Sequence, residues 1–295
     1  MGKLCTKCIH HLQRNYRKMK ISIITVNYNN SKGLEQTIQS VIKQTYINIE
    51  FIIIDGGSSD DSPQIISQYQ NQITFWCSEK DSGIYNAMNK GIKKSTGDYC
   101  IFMNSGDIFY NEKSIEYIYN ETHFNADIIT GATIDDKNTI WFAPTDKQLT
   151  LHYLLKSSIS HQATFIKREL LTQFLYSEDL KIVSDWEFWI KTLIMNNNTF
   201  ISSKIIVCKY DRNGISNSPE HYHLLINERN KVISRLIPKK ILSDYNYMSY
   251  SNERQHKLVQ LSIKISSISN RAANLLYWIC KSIIVIFLKI KKINI

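Results

Sequence analysis

The sequence predicts an α/β protein: a mainly parallel sheet flanked by helices, followed by a mostly helical C-terminal extension. Three observations carry this. From Ile21 onward, short apolar runs alternate with amphipathic stretches, the pattern of repeated βαβ units. The runs are β-branched or aromatic and too continuously apolar for a half-exposed sheet, so they read as strands buried on both faces. Each run also ends in a polar segment, at the edge where an open parallel sheet collects its ligands.

In chain order, strands are expected over Ile21–Val26, Glu50–Ile54, Ile73–Cys77 and Tyr99–Met103. Between them, Gly33–Gln44, Ser62–Tyr69 and Ile84–Lys94 repeat apolar residues at spacings of three and four and should be helices. Ser62 before Pro63 reads as an N-cap with proline at the first helical position. After Asp107 come a helix over Lys113–Asn120, a strand over Asp127–Thr130, a helix over Asp146–Leu155 and a strand over Ala163–Ile166. Asp185–Met195 reads as an amphipathic helix and Phe200–Tyr210 as a strand. The expected division is an N-terminal extension over 1–19, a core α/β domain over 20–217 and a basic helical extension over 218–295.

The 295 residues are 43% hydrophobic and 21% charged with only 4 prolines and 10 glycines, which excludes a disordered or collagen-like chain. The net charge of +10 is unevenly placed. Residues 1–20 hold 6 basic and no acidic side chains, residues 21–225 hold 17 and 23, and residues 226–295 hold 13 and 3. An acidic body argues against nucleic acid as a partner, whereas basic ends suit an anionic membrane surface or remain a solvated tail. Leu275–Leu288 is apolar apart from Lys281 and Ser282, too short and interrupted to span a bilayer. It fits a helix lying in a membrane interface, or one packed on protein.

Six cysteines in this length make no disulfide framework, and no signal-like stretch follows Met1, so the expected compartment is the cytoplasm. Cys5 and Cys8 with His10 and His11 have zinc-ligand character, but a lone CxxC without a second pair is read as carrying no chemistry. Met19-Lys20 is the more natural chain start.

The strand ends concentrate the polar chemistry: Thr25-Val26-Asn27-Tyr28-Asn29-Asn30, Asp55-Gly56-Gly57-Ser58-Ser59-Asp60, Ser78-Glu79-Lys80-Asp81 and Asn104-Ser105-Gly106-Asp107. Neither GxGxxG nor GxxxxGK[ST] occurs, which removes the dinucleotide fingerprint and the P-loop. Carboxylates at Asp55, Asp81 and Asp107 would repel a phosphate unless a divalent cation intervened, and oxygen ligands suit Mg²⁺ or Mn²⁺. A metal-bound, phosphate-bearing substrate is the economical inference.

With these residues in hand, ISIITVNYNN, IIIDGGSSDDS, SEKDSGIYNAMNKGI and GDYCIFMNSGD together resemble the family 2 inverting glycosyltransferases of the Rossmann-like GT-A fold. The likeness is dense over Lys20–Asp107 and continues through SHQATFIKREL, VSDWEFWIK and NGIS. The resemblance implies that Asp55 accepts a hydrogen bond from the donor's base, flanked by Thr25, Asn27 and Tyr28. It implies further that Asp81 lies near the donor's ribose and sugar, that Asn104 belongs to the donor-binding set, that Asp107 holds Mg²⁺ or Mn²⁺ on the diphosphate, and that Asp185 is the catalytic base. His161 and Gln162 would line the donor, with Glu187 as the competing base; Trp186 and Trp189 would be partly core, with stacking on a sugar ring left open. The segment Asn104–Asp107 supplies one carboxylate where many members have two.

The implied activity is transfer of a sugar, with inversion, from a nucleotide diphosphate sugar (UDP-linked by expectation) to a saccharide or lipid-linked acceptor in bacterial surface polysaccharide synthesis. The enzyme would sit peripherally on the inner face of the cytoplasmic membrane. Two alternatives stay open at this point: a sugar-1-phosphate nucleotidyltransferase and a non-catalytic nucleotide-sugar-binding subunit. A basic glycine-rich loop after the first strand, expected of the former, is absent from Asn27–Asn30.

Overall fold

Strand β1 (Ile21–Asn27) is buried along its whole length because it is paired on both edges, with β2 (Ile49–Asp55) and β4 (Tyr99–Phe102), each parallel to it. Its alternate side chains serve two layers. Ile21 and Ile23 share a core with Leu34 and Ile38 of helix α1 (Ser31–Ile42). Ile24 points the other way, against Gly91 of helix α3 (Ile84–Lys94), where a Cβ would stand 2.4 Å from its Cγ2. A strand with helices on both faces is buried on both, which is why ISIITV shows no period-two alternation, and its two hydroxyls, Ser22 and Thr25, are hydrogen-bonded inside. Strand β3 (Phe75–Ser78) pairs with the outer edge of β2, again parallel, and helix α2 (Ser62–Gln68) precedes it.

This computed structural model describes residues 18–211 and 219–248, with isolated positions at 257, 260, 275, 278, 279, 281 and 282. The CxxC segment, NGIS and most of Leu275–Leu288 lie outside the described residues. Beyond β4 the elements are β5 (Ile108–Phe109), α4 (Ser114–Thr122), β6 (Ile128–Ile134), β7 (Ile140–Trp141), α5 (Leu151–Lys156), β8 (Thr164–Lys167), α6 (Arg168–Gln173), α7 (Ser184–Trp189), β9 (Phe200–Lys209) and α8 (Tyr222–Leu236). The sheet order is β3-β2-β1-β4-β8-β6-β9-β5, with β7 attached to β6. β8 runs antiparallel to both β4 and β6, and β5 antiparallel to β9, so the parallel half continues into a mixed one.

Several element boundaries differ from the sequence expectation for identifiable reasons. Strands β5 and β7 are two residues long, too short to leave a periodic signature. The helix expected over Asp146–Leu155 is broken: a 3₁₀ turn at Asp146–Gln148 ends, and Thr150, with extended backbone, caps α5 by accepting the Tyr153 N–H at 3.2 Å. Asp185–Met195 is α-helical only to Trp189 and then widens into a π-helical turn over Ile190–Met195. The N-cap of α2 is Asp61 and not Ser62.

The chain divides into two compact units, Met1–Ile233 and Ser234–Ile295. Among the described residues, no helix is long and apolar enough to cross a membrane.

Candidate active site

Parallel register places Asn27, Asp55 and Ser78 side by side at the carboxyl ends of β1, β2 and β3. Their side chains form a row centred on Asp55, which is fully buried. Oδ1 accepts Asn27 Nδ2–H at 2.7 Å and the Ser58 hydroxyl at 2.5 Å; Oδ2 accepts the Ser78 hydroxyl at 2.6 Å and the Ser58 N–H at 2.9 Å. Burial pushes this carboxyl up, but the donors from Ser58, Ser78 and Asn27 outweigh it and hold it below the ordinary carboxylate range. Each Asp55 oxygen thus has two donors, while Asn27 Oδ1 is buried without a partner. Thr25 is committed elsewhere, its hydroxyl donating to the Met103 carbonyl at 2.7 Å and tying β1 to β4.

The loops above this row are built close. A Cβ on Gly56 would lie 2.6 Å from Asp81 Oδ2 and 3.3 Å from Tyr28 Cδ2, so both side chains approach the bare Cα at the end of β2. Tyr28 is 66% exposed, a free aromatic face beside the Asp55 row. Asp81 accepts the Gly83 N–H at 3.0 Å just ahead of α3. Asp60, which sequence reasoning gave no role, accepts the Ser31 N–H at 2.8 Å and the Ser62 N–H at 3.0 Å, tying the first turns of α1 and α2 together.

Across β4 a second set converges. Asn104 Nδ2 is 3.2 Å from His161 Nε2, and His161 Nδ1 is 3.1 Å from Asp185 Oδ2. Asp185, the second residue of α7, also stands 3.1 Å from the Tyr85 hydroxyl and accepts the Trp186 N–H at 2.9 Å. Burial pushes the His161 imidazole down; its hydrogen bond to Asp185 and the charges of Asp185 and Asp107 reverse this, leaving it above the ordinary histidine value. Glu187 is 1% exposed, accepts the Ser177 hydroxyl and pairs with Lys191 Nζ at 3.1 Å, so it is held as a structural group. Trp186 and Trp189 are buried and donate to the carbonyls of Leu154 and Ile159, which removes them as stacking surfaces for a sugar. Gln162 Oε1 accepts the Ser160 hydroxyl at 2.8 Å.

The segment GIYNAMNKG acquires a physical reason in α3. Tyr85 donates to the Ile182 carbonyl at 2.7 Å. Asn86 and Asn89 reach Glu178 at 2.8 and 2.9 Å, and Asn89 also exchanges bonds with the backbone of Tyr176. Three polar residues of one helix therefore hold the stretch that leads into Asp185. The available signal was asparagine recurring at a spacing of three on a face that should be apolar.

Asp107 is 4% exposed, and its Oδ1 accepts the Asp211 N–H at 2.9 Å. Burial raises its carboxyl to about 7, opposed by that hydrogen bond and by His161. Asp211 follows β9 and its carboxylate lies over Gly106, where a Cβ would come 3.0 Å from Oδ2. Sequence reasoning missed this second carboxylate, which no local motif announces. An oxygen donor set around a buried carboxyl suits Mg²⁺ or Mn²⁺, so the residues fit a divalent cation. Among the described residues no three His, Cys, Asp or Glu side chains converge on one metal position, so substrate oxygens would have to complete the coordination.

The parallel-sheet rim of carboxylates is thus continued by a mixed half that carries the Asp185–His161 pair. The model of Glycosyl transferase family 2 matches residues 22–177, and the chain belongs to that family. It is 30% identical over 212 residues to an uncharacterized glycosyltransferase of Mycobacterium tuberculosis, covering 68% of this chain and 78% of the relative. A PGL/p-HBAD biosynthesis glycosyltransferase of Mycobacterium bovis is 27% identical over 207 residues, covering 67% and 79%. The fold is similar to Staphylococcus aureus TarS 1–349 in complex with UDP-GlcNAc (TM-score 0.56, 18% identity, 86% and 83% of the two chains). It is equally similar to the mannosyltransferase PcManGT of Pyrobaculum calidifontis with GDP-Man and Mn²⁺ (TM-score 0.56, 14% identity, 94% and 86%). Against a longer TarS chain the match spans 36% of that chain.

Proposed function

We propose that this glycosyltransferase moves a sugar, with inversion, from a nucleotide diphosphate sugar, UDP-linked in the first instance, to a saccharide or lipid-linked acceptor in bacterial surface polysaccharide synthesis. One relationship carries the reading: the loop that bears Asp107 also bears Asn104, which meets His161, which pairs with Asp185. A group for the leaving diphosphate and a base for the incoming hydroxyl are thereby linked through a single imidazole.

In this reading Tyr28 lies against the donor's base and the Asn27–Asp55–Ser78 row fixes the rim beneath it, with Asp81 toward the ribose. Asp107 would hold Mg²⁺ or Mn²⁺, which when bound would supply charge neutralisation for a leaving diphosphate. Asp185 takes the proton of the acceptor hydroxyl as that oxygen attacks the anomeric carbon opposite the leaving group. His161 keeps the Asp185 carboxylate oriented through Oδ2, while Tyr85 and the Trp186 N–H occupy Oδ1. TarS with UDP-GlcNAc and PcManGT with GDP-Man and Mn²⁺ support the class of donor and the divalent metal. The basic excess over 226–295 supports a position at the anionic inner face of the cytoplasmic membrane.

The test is a thermal-shift panel of UDP-, GDP- and dTDP-sugars with Mn²⁺, followed by assay of donor hydrolysis. Stabilisation by a uridine nucleotide is expected, since a ligand that binds only the folded chain raises its stability. Hydrolysis should disappear in Asp107→Ala and Asp185→Ala. A response to guanosine or thymidine nucleotides alone overturns the base assignment. Absence of turnover with every donor points to a binding subunit, and pyrophosphate release from a nucleoside triphosphate to a nucleotidyltransferase.

A further inference from the structure

Helix α8 lies beyond the residues that the family model matches, yet its middle turns are built into the stretch that carries Asp185. Glu228 is 7% exposed. Its Oε1 accepts the Lys181 N–H at 2.7 Å and its Oε2 the Ile182 N–H at 2.9 Å. The carbonyl of Ile182 accepts the Tyr85 hydroxyl, and that hydroxyl oxygen is 3.1 Å from Asp185 Oδ1. Next to Glu228, the Arg229 guanidinium lies 4.8 Å from the centre of the Trp186 ring. One half-turn on, Lys231 pairs with Asp179 at 2.6 Å. The stretch from Tyr176 to Trp186 is therefore held both by α8, at Asp179, Lys181, Ile182 and Trp186, and by α3, where Asn86 and Asn89 hold Tyr176 and Glu178 and Tyr85 holds Ile182 and Asp185.

A buried carboxylate is an expensive way to fill space, because it must recover its lost hydration through hydrogen bonds. An apolar side chain would pack there without that penalty, but it could not accept two consecutive N–H groups. Two charge-assisted bonds at defined lengths fix the backbone at Lys181 and Ile182 in position and direction. That precision matters three residues later, since a misplacement of about 1 Å at a reacting group can lower a rate roughly 10²-fold.

We propose that α8 is a positioning element for the catalytic base, with Glu228 as its pin: holding Lys181 and Ile182 keeps Tyr85 and Asp185 in register, and so aims the Asp185 carboxylate. This rests on reading Asp185 as the base. The nucleotide rim is held by β1, β2 and β3, so losing the pin should lower turnover and leave nucleotide affinity alone.

The experiment compares the full-length parent chain with Glu228→Gln, Asp185→Asn and the double variant. It measures hydrolysis of UDP-GlcNAc and of GDP-mannose, affinity for UDP and GDP, and hydrogen exchange at the amides of Lys181 and Ile182. Glutamine keeps the shape but presents an amide group to one of the two N–H donors. Glu228→Gln is expected to lower kcat by about tenfold or more, to speed exchange at those two amides, and to leave nucleotide affinity at the parent value. In the Asp185→Asn background it should lower the residual rate no further, because a positioning residue acts through the group it positions.

Parent-like kcat in Glu228→Gln overturns the proposal, as does an equal proportional loss in the Asp185→Asn background or a parallel loss of nucleotide affinity. If Asp185→Asn alone keeps full activity, the reading of Asp185 as base fails, whatever Glu228→Gln does. If Glu228→Gln does not fold, Lys231→Ala loosens the same grip at an exposed pair. It should lower kcat by a smaller factor with nucleotide affinity intact, and parent-like kcat there overturns the proposal equally.

Discussion

His161 Nδ1 stands 3.1 Å from Asp185 Oδ2, across 24 residues of chain and between a 3₁₀ turn and the start of α7. The other ring nitrogen faces Asn104, so the imidazole is fixed at both ends and cannot rotate without losing a partner. The pair gives Asp185 an orientation that Glu187, two residues on, does not have.

Asp185→Asn should therefore lower kcat by about 10²–10⁴-fold, the range of a general base, with nucleotide affinity unchanged. Glu187→Gln should do the reverse. It weakens a buried pairing with Lys191 and should lower stability by about 1–3 kcal/mol while activity survives below the melting transition. Melting curves and steady-state kinetics on the two variants check both statements. An inactive but normally stable Glu187→Gln, beside an active Asp185→Asn, would exchange their roles.

Tyr28 offers an exposed ring at the rim of the Asp55 row. If the donor's base stacks there, Tyr28→Ala should weaken nucleotide binding by about 1–3 kcal/mol with little change in melting temperature, and Tyr28→Phe should bind as the parent does. Titration calorimetry with UDP measures this. Equal affinity in Tyr28→Ala would place the base elsewhere.

Burial holds the Asp107 carboxyl near about 7, above its ordinary value, so between those two values the folded chain keeps a proton that the unfolded chain has released. That group's contribution to stability accordingly falls as pH rises through this window, and it is complete only at lower pH. Without added metal, the melting temperature of the parent should decline more steeply from about pH 5 to pH 8 than that of Asp107→Asn. Mn²⁺ should stabilise the parent more at the upper end, where the carboxylate is ionised, and should leave Asp107→Asn unmoved. A Mn²⁺ effect equal at both ends would detach Asp107 from the cation.

Glu50 behaves oppositely at the amino-terminal end of β2. Burial pushes it up, but the Ser22 hydroxyl at 2.5 Å, the Thr96 N–H and hydroxyl at 2.7 Å each, and Lys20 at 2.9 Å bring it down to about 2. Its stabilisation is present above the ordinary glutamate value and is lost as pH falls toward about 2, on the order of 3 kcal/mol in all. Denaturant titrations of parent and Glu50→Gln at neutral and acid pH should show the two stabilities converging on acidification; a constant gap would assign Glu50 a purely steric role.

The parallel half of the fold was legible because each of its elements is long enough to show a period and each strand is buried on both faces. The rim was legible for a related reason: Asn27, Asp55, Asp81, Asn104 and Asp107 all fall where an apolar run stops, and parallel register brings such stops to one edge. The two-residue strands β5 and β7 and the break at Thr150 were not legible, since they are decided by hydrogen bonds to distant chain and leave no repeat. The stacking surface imagined for Trp186 and Trp189 failed for a similar reason: whether an aromatic on an amphipathic helix is open depends on what covers it.

By itself, then, the sequence determined the alternation of strands and helices, the edge at which the polar strand ends gather and the residue types available there. These follow from local backbone preference and from the burial of continuous apolar runs. Only the tertiary structure decided which carboxylates meet: Asp211 beside Asp107, Asp185 on His161, and Glu228 beneath the backbone of Lys181 and Ile182. Each of these contacts joins segments 24 to 104 residues apart. Their formation depends on the packing of whole elements, and no pattern in the neighbouring residues encodes such a distance.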